Sequence, residues 1–374
     1  QGTFLRVTPA DATTKIPTAA MLAGDFTAFA SPACNRGAQV TLRAPFVNNQ
    51  VNPALFSPAA MNIAKLLPTT TNPCGDVLFS SPIANDMGQI ISKVDFQMNA
   101  NHSMFGRYMS TFDEQIPGYP KSGNVLTTRP EDTAQKHTAH SLTFGDTMVF
   151  GSNMVNSFRV AFNRTNSHYH LEPFFGPETV GVKNFHNYVP GVMALAITGG
   201  FTTASGGSVL FQADTDAYQV SDDITLIRGN HQLAVGTNVT YWEHATIDGQ
   251  RGVGLWTFNG SVTGTGLSDF LTGRLFQLEH ARPGVLGLDM WYVGLYAQDT
   301  WKVSSRVTVN AGLRWEPFFG QNVRNNAVSN FKIDNFRTGV ESTVYNNAPA
   351  GLIYPGDAGF PSGQSGLNNQ WLNM

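Results

Sequence analysis

From residue 89 onward, apolar and polar side chains alternate in segments separated by short turns, the period-two signature of antiparallel hairpins. The clearest alternation runs from Trp291 to Glu316. Trp291, Val293, Leu295 and Ala297 oppose Tyr292, Gly294, Tyr296, Gln298 and Thr300. After a turn at Val303-Ser304-Ser305-Arg306, Val307, Val309, Ala311, Leu313 and Trp315 oppose Thr308, Asn310, Gly312, Arg314 and Glu316. Three more hairpins obey the same rule: Ile91 to Met109 turning near Asn99 to His102, His140 to Arg164 turning at Gly151-Ser152-Asn153, and Ser221 to Tyr241 turning at Gly229-Asn230. Further strands are expected at Arg251 to Asn259 and at Leu267 to Leu278, about ten in all.

Residues 1–88 read differently. Pro9, Pro17, Pro32, Pro45, Pro53, Pro58, Pro68, Pro73 and Pro82 exclude long regular elements, because proline lacks the amide donor that helices and ladders use. One short helix is expected over Ser57 to Leu67, with Ser57 as N-cap, Pro58 in the first turn and Pro68 as the stop. The expected organisation is therefore an irregular region over 1–88, strands and loops over 89–340, and an irregular tail over 341–374.

Strands with one apolar face fit two architectures. A soluble sandwich or barrel turns that face inward and carries Lys and Glu outside, whereas a membrane barrel turns it to lipid and fills its lumen with Gly, Asn, Gln, Ser and Thr. Composition favours the second. The 374 residues include 13% charged side chains, about half the ~25% usual for soluble domains, and the net charge is −3. The polar faces are mostly neutral, Trp291, Trp301 and Trp315 sit at strand ends, and strands of about nine to twelve residues suit a tilted bilayer crossing. The fold class expected is all-β, an antiparallel transmembrane-type barrel. No apolar stretch approaches the ~18 residues of a membrane helix, and the absence of basic runs excludes a nucleic-acid partner.

Cys34 and Cys74 have no His or Cys neighbours at metal spacing, so they read as one disulfide in an oxidising compartment or as two buried thiols. His168, His170 and Glu172 fall on one side of an extended segment, a spacing that suits Zn or Cu but equally an exposed polar loop, and no metal is assigned. Asp214, Asp216, Asp222, Asp223, Glu243 and Asp248 can supply a carboxylate pair for glycosidic cleavage or simply occupy acidic turns. Asp11, Asp25, Asp76 and Asp86 lack the spacing of a calcium loop. With no nucleophile elbow, P-loop or dinucleotide fingerprint, no catalytic residue and no cofactor is implied.

Several segments resemble a known family in order along the chain. Lys93-Val94-Asp95-Phe96-Gln97 with Asn101-His102-Ser103-Met104-Phe105-Gly106-Arg107-Tyr108 is similar to a hairpin of TonB-dependent outer-membrane receptors, nearest the Oar-like group. Asn156 to Arg164, Asp222 to Gly236, Asp269 to Gly273 and Tyr292 to Glu316 resemble further motifs of that group, the last most fully, and Pro17 to Phe26 resembles a loop that follows its plug and first barrel strands. The resemblance implies a large barrel, usually of about 22 strands around a plug. No plug and no TonB box are recognisable, so the chain is expected to be a barrel segment with its lumen lined by Arg107, Arg159, Arg314 and Glu316; solvent-exposed charges are the alternative for each.

The function so implied is uptake of a bulky nutrient, a saccharide or a peptide, across the bacterial outer membrane. Its partners would be membrane lipid, the imported ligand and an inner-membrane energy-coupling TonB complex. Specificity would rest on long loops at Pro117 to Ala134, Leu171 to Gln212 and Gln277 to Leu288. The alternative is a secreted, soluble all-β protein that binds or cleaves carbohydrate.

Overall fold

The computed structural model describes residues 2–7, 11–80, 83–116, 118–128, 134–204, 210–249, 251–361 and 363–372. In chain order the strands begin with β1 (Gly2–Val7), β2 (Ala12–Lys15), β3 (Asp76–Phe79), β4 (Ile83–Asn99), β5 (His102–Ile116), β6 (Ala134–Phe150) and β7 (Met154–His170). They continue with β8 (Ala194–Ile197), β9 (Thr202–Thr203), β10 (Leu210–Arg228), β11 (His231–Asp248), β12 (Leu255–Phe258) and β13 (Gln277–Glu279). The last are β14 (Gly284–Lys302), β15 (Thr308–Trp315), β16 (Asn322–Val323), β17 (Asn330–Phe331) and β18 (Leu352–Ile353). Short helices are α1 (Ala19–Leu22), α2 (Pro58–Ala64), α3 (Tyr119–Ser122), α4 (Pro177–Val180), α5 (Gly266–Leu271) and α6 (Ile333–Thr338).

One antiparallel sheet of ten strands dominates, in the order β1-β4-β5-β6-β7-β10-β11-β14-β15 with β16 also on β14. The turns foreseen at Gly151 to Asn153, at Gly229-Asn230 and after Lys302 join neighbouring strands, because alternating side chains leave only one register that keeps each face uniform. The strands are longer than their apolar cores: β6 has 17 residues and β14 has 19. At ~3.3 Å per residue such strands exceed about 50 Å, and even tilted by ~45° they overshoot a ~30 Å hydrocarbon layer.

The turn ends are staggered in one direction. His102 is level with Met148, yet the next hairpin runs two residues further to Phe150–Met154; Met154 is level with Leu226, and its hairpin again runs two further to Arg228–His231. A constant stagger of this kind is what tilted barrel strands require.

Register also sorts the faces. Tyr108, Leu142, Phe162, Tyr218, Tyr241 and Trp291 occupy one row, with rings of the last four spaced 5.1, 6.4 and 4.8 Å apart. The row beside it is Gly106, Phe144, Val160, Val220, Val239 and Val293. Many of these side chains are uncovered: Leu142 is 54% exposed, Tyr218 45% and Val220 43%. An apolar surface of this extent is tolerated where lipid, not water, is the solvent.

All the long connections leave the same end of the sheet, and the short turns lie at the other. There, residues from four connections bury one shared core. Phe26 and Ile63 come from the segment before β4, Leu126 from that after β5, Phe201 from that after β7, and Phe270 from that after β11. Phe26 meets Phe46, and Phe270 meets both Phe201 and Phe258, edge-on at 5.1 to 5.5 Å. A small sheet, β13-β12-β8-β9, with β8 parallel to β12, completes this cap.

Three sequence expectations change. Residues 1–88 are not merely loop, since β1 pairs with β4 and most of the remainder forms the cap core. The strand expected over Leu267 to Leu278 is instead the helix α5 followed by the short β13, because Thr265 and Ser268 close a capping box. The strand expected over Arg251 to Asn259 shrinks to β12 and belongs to the cap. The helix over Ser57 to Leu67 is present as α2, with Ser57 accepting from the Ala60 amide and Pro58 in the first turn.

Candidate functional site at the polar face and the cap

The polar face carries a chain of cross-strand contacts assembled from the motif residues. Arg159 on β7 lies 3.7 Å from Asp223 on β10, and the Tyr296 hydroxyl on β14 donates to Asp223 at 2.7 Å. Tyr296 is level with Gly236 and Gly236 with Asp223, so the phenol spans the intervening strand over a residue without a side chain. On β14 and β15, Tyr292 donates to Glu316 at 2.5 Å, Arg314 donates to Tyr292 at 2.8 Å, and Arg314 also pairs with Glu316. Arg107 stands directly opposite Lys93, whose ammonium is held by Asp95 at 2.7 Å. Arg107, Arg159, Arg314 and Glu316 thus share one face. Asp223, Tyr292, Tyr296 and Gly236 are motif residues to which the sequence assigns no role; they build the contacts of Arg159, Arg314 and Glu316.

Other motif letters pair on the apolar face near the turns. Asn156 donates to Asp222 at 2.5 Å, His102 meets Asp146 at 2.8 Å, and His231 meets Asp299 at 2.6 Å while stacking on Trp301. These contacts give hydrogen-bond partners to carboxylates on the apolar face, where an unsatisfied polar group costs several kcal/mol.

Of the candidate carboxylates, Asp216 and Glu243 stand directly opposite each other on β10 and β11, but both are held by arginines, and the set as a whole does not converge. Asp222 and Asp223 point to opposite faces. Asp216 is bound by Arg164 at 2.5 and 2.6 Å, Asp214 by Asn166 at 2.6 Å, and Glu243 with Asp289 by Arg324. Asp25 caps the Thr27 amide and Asp76 pairs with Lys15. His168 engages Asp214 at 3.1 Å, the side chain of His170 lies outside the described residues, and no group of three metal-ligating side chains occurs among the described residues. Cys34 and Cys74 form a disulfide with their Cα atoms 5.1 Å apart.

In the cap, side chains tie one connection to another. Arg43 donates to the carbonyls of Gly260, Ser261 and Val262 at 2.6 to 2.9 Å, Ser57 N–H to Leu271 at 2.8 Å, and Asn62 to Val180 at 3.2 Å. Desolvation raises the carboxyl of the exposed Glu178, but hydrogen bonds from the Gly191 amide, its own amide and Asn187 prevail and hold it below the usual carboxylate range. On the cap surface Phe185, His280, Tyr188 and His186 form a run of ring contacts at 4.4 to 5.3 Å that continues inward to Trp256. Between α2, β8, β12 and α5 lies a cavity of about 550 Å³.

A family model described as an outer membrane beta barrel domain matches residues 1–374. Solved structures to which the chain is similar include the outer membrane transporter YddB from Escherichia coli, at 14% identity and a TM-score of 0.40, over 65% of this chain and 28% of that one. The ferric-catecholate import receptor Fiu from E. coli K12 matches at 10% identity and 0.36, over 65% and 39%. BauA, the ferric preacinetobactin receptor from Acinetobacter baumannii, matches at 12% and 0.35, over 66% and 38%. The chain therefore spans well under half the length of each. No curated protein matches it.

Proposed function

The chain belongs to the outer membrane beta barrel domain family and resides in the bacterial outer membrane, and from that premise we propose that it is part of a TonB-dependent receptor of the Oar-like group that imports a saccharide or peptide. The observation that carries this reading is the asymmetry of the strand ends. Short turns at one end suit the periplasmic side of such a barrel, and long connections at the other suit the outer surface, where ligands arrive. Here those connections share a hydrophobic core, so the outer end is a preformed body able to present side chains to a ligand without paying first to order them.

In this reading Arg107, Arg159, Arg314 and Glu316 line the lumen, where the first three offer cations to a plug or to a passing ligand. The Phe185–His280–Tyr188–His186 run offers aromatic faces to sugar rings or peptide side chains. Energy from the inner-membrane complex would then displace the plug.

The test is uptake of fluorescent oligosaccharides and oligopeptides by cells bearing the full-length receptor. Uptake is expected to vanish when the proton gradient is dissipated and to fall when Tyr188 and His280 are both changed to Ala; uptake indifferent to the gradient overturns the reading. Thiol labelling checks the lumen: Ser141→Cys is expected to react with a small water-soluble maleimide, and Val160→Cys, on the opposite face, is not.

A further inference from the structure

We propose that the cavity between α2, β8, β12 and α5 binds an amphiphilic anion, its apolar body inside and its anionic head at Lys183. The inference goes beyond the import reading, since an amphiphilic anion is neither saccharide nor peptide, and it is tested by binding alone.

The walls are apolar on every side: Ile63 from α2, Met193 and Leu195 around β8, Trp256 and Phe258 from β12, and Phe270 from α5. Of these, Ile63, Leu195 and Phe270 are 0 to 2% exposed and belong to the cap core, so they cannot swing away to fill the space. The elements around the pocket are also tied to one another. Ser57 N–H binds the Leu271 carbonyl and Asn62 binds the Val180 carbonyl, which fixes α2 against both α5 and α4. The pocket opens to solvent at Lys183, and its volume of about 550 Å³ lies in the range of small-molecule sites.

One charge breaks the apolar lining. Lys183, exposed at the rim beside Gly181, is the single ionic residue among the described lining residues. An apolar pocket with one cation at its mouth recognises a molecule with the inverse pattern, a hydrophobic body ending in a carboxylate or phosphate. A neutral sugar finds too few polar partners there, since Ser57, Trp256 and Lys183 are the only described lining side chains that carry hydrogen-bonding groups.

The experiment uses a diazirine-bearing decanoate with the protein in outer-membrane vesicles, followed by peptide mapping of the cross-links. Cross-links are expected within 58–63, 182–195 and 256–275, displaced by decanoate at concentrations about tenfold lower than by 1-decanol. Lys183→Glu, at an exposed position that leaves the core untouched, is expected to remove that preference, and Ala60→Trp to abolish cap cross-links by filling the space. Labelling confined to the membrane-facing strands overturns the proposal, as does equal competition by decanol or an unchanged preference in Lys183→Glu. Loss of nutrient uptake with cap labelling intact would count against the import reading alone, and loss of labelling with uptake intact against the cavity alone.

Discussion

Tyr296 donates its hydroxyl to Asp223 at 2.7 Å from two strands away, over Gly236. A Cβ at position 236 would collide with both the Asp223 carboxylate and the Tyr296 ring. Gly236→Ala is therefore expected to expel the ring from its place and to cost about 1–3 kcal/mol, the range for overpacking a fitted contact. Tyr296→Phe removes only the hydrogen bond and is expected to cost about 0.5–1.5 kcal/mol, because Asp223 keeps Arg159. Urea unfolding of the detergent-solubilised protein measures both; a Gly236→Ala variant as stable as the parent would show that Tyr296 does not need the gap.

Asp269 is fully buried in α5, where it accepts from the Thr263 amide at 2.7 Å and the Thr263 hydroxyl at 2.6 Å. Asp269→Ala strands the Thr263 amide in the cap interior, and at about 1–3 kcal/mol for a buried unsatisfied group the cap is expected to open before the strands do. Limited proteolysis reads this as new cleavage within 249–283 while β10 and β11 stay protected. Cleavage spread evenly over the sheet would mean that the cap and the strands unfold as one unit.

The same segment shows where the sequence was and was not legible. The period-two rule located every long hairpin, because register, turn chemistry and face polarity all constrain the same residues, and the motif letters proved to be cross-strand partners such as Arg159 with Asp223 and Tyr292 with Glu316. Thr265-Gly266-Leu267-Ser268-Asp269 carries a capping box, and Gly273 at φ +69° a helix stop, yet the segment reads as strand when only alternation is sought. The cap core was hidden for a different reason. Phe26, Leu126, Phe201 and Phe270 lie on four separate connections, and no local period records a core assembled from loops.

Cys34 and Cys74 close a loop of 40 residues within the cap segment before β4. Constraining the unfolded chain in this way is worth about 2–4 kcal/mol. The Cys34→Ser/Cys74→Ser double variant, or the parent in reductant, is expected to lose that amount from cap stability alone. Differential scanning calorimetry in detergent should show one transition moving down while the strand transition stays; an unmoved cap transition would place the disulfide outside the cooperative unit.

Asp357 organises the tail. Its carboxylate accepts from the Ser342 hydroxyl at 2.6 Å, the Thr343 amide and hydroxyl at 2.7 and 2.8 Å, and the Tyr354 amide at 2.9 Å. These bonds, the one from Ser342 foremost, favour the charged form and hold the carboxyl far below the ordinary range. A folded-state value below the unfolded one means that protons bind the opened loop more readily, so the stabilisation is complete above the unfolded value of about 4 and is lost as pH falls from there toward the folded value. Amide exchange at Thr343 and Tyr354, corrected for intrinsic rates, is expected to show constant protection from pH 8 to about 5 and progressive loss below about 4. Asp357→Asn keeps one acceptor oxygen but no charge, and its protection is expected to be lower and flat across the same interval. A variant that reproduced the acid dependence of the parent would assign the titration to another carboxyl.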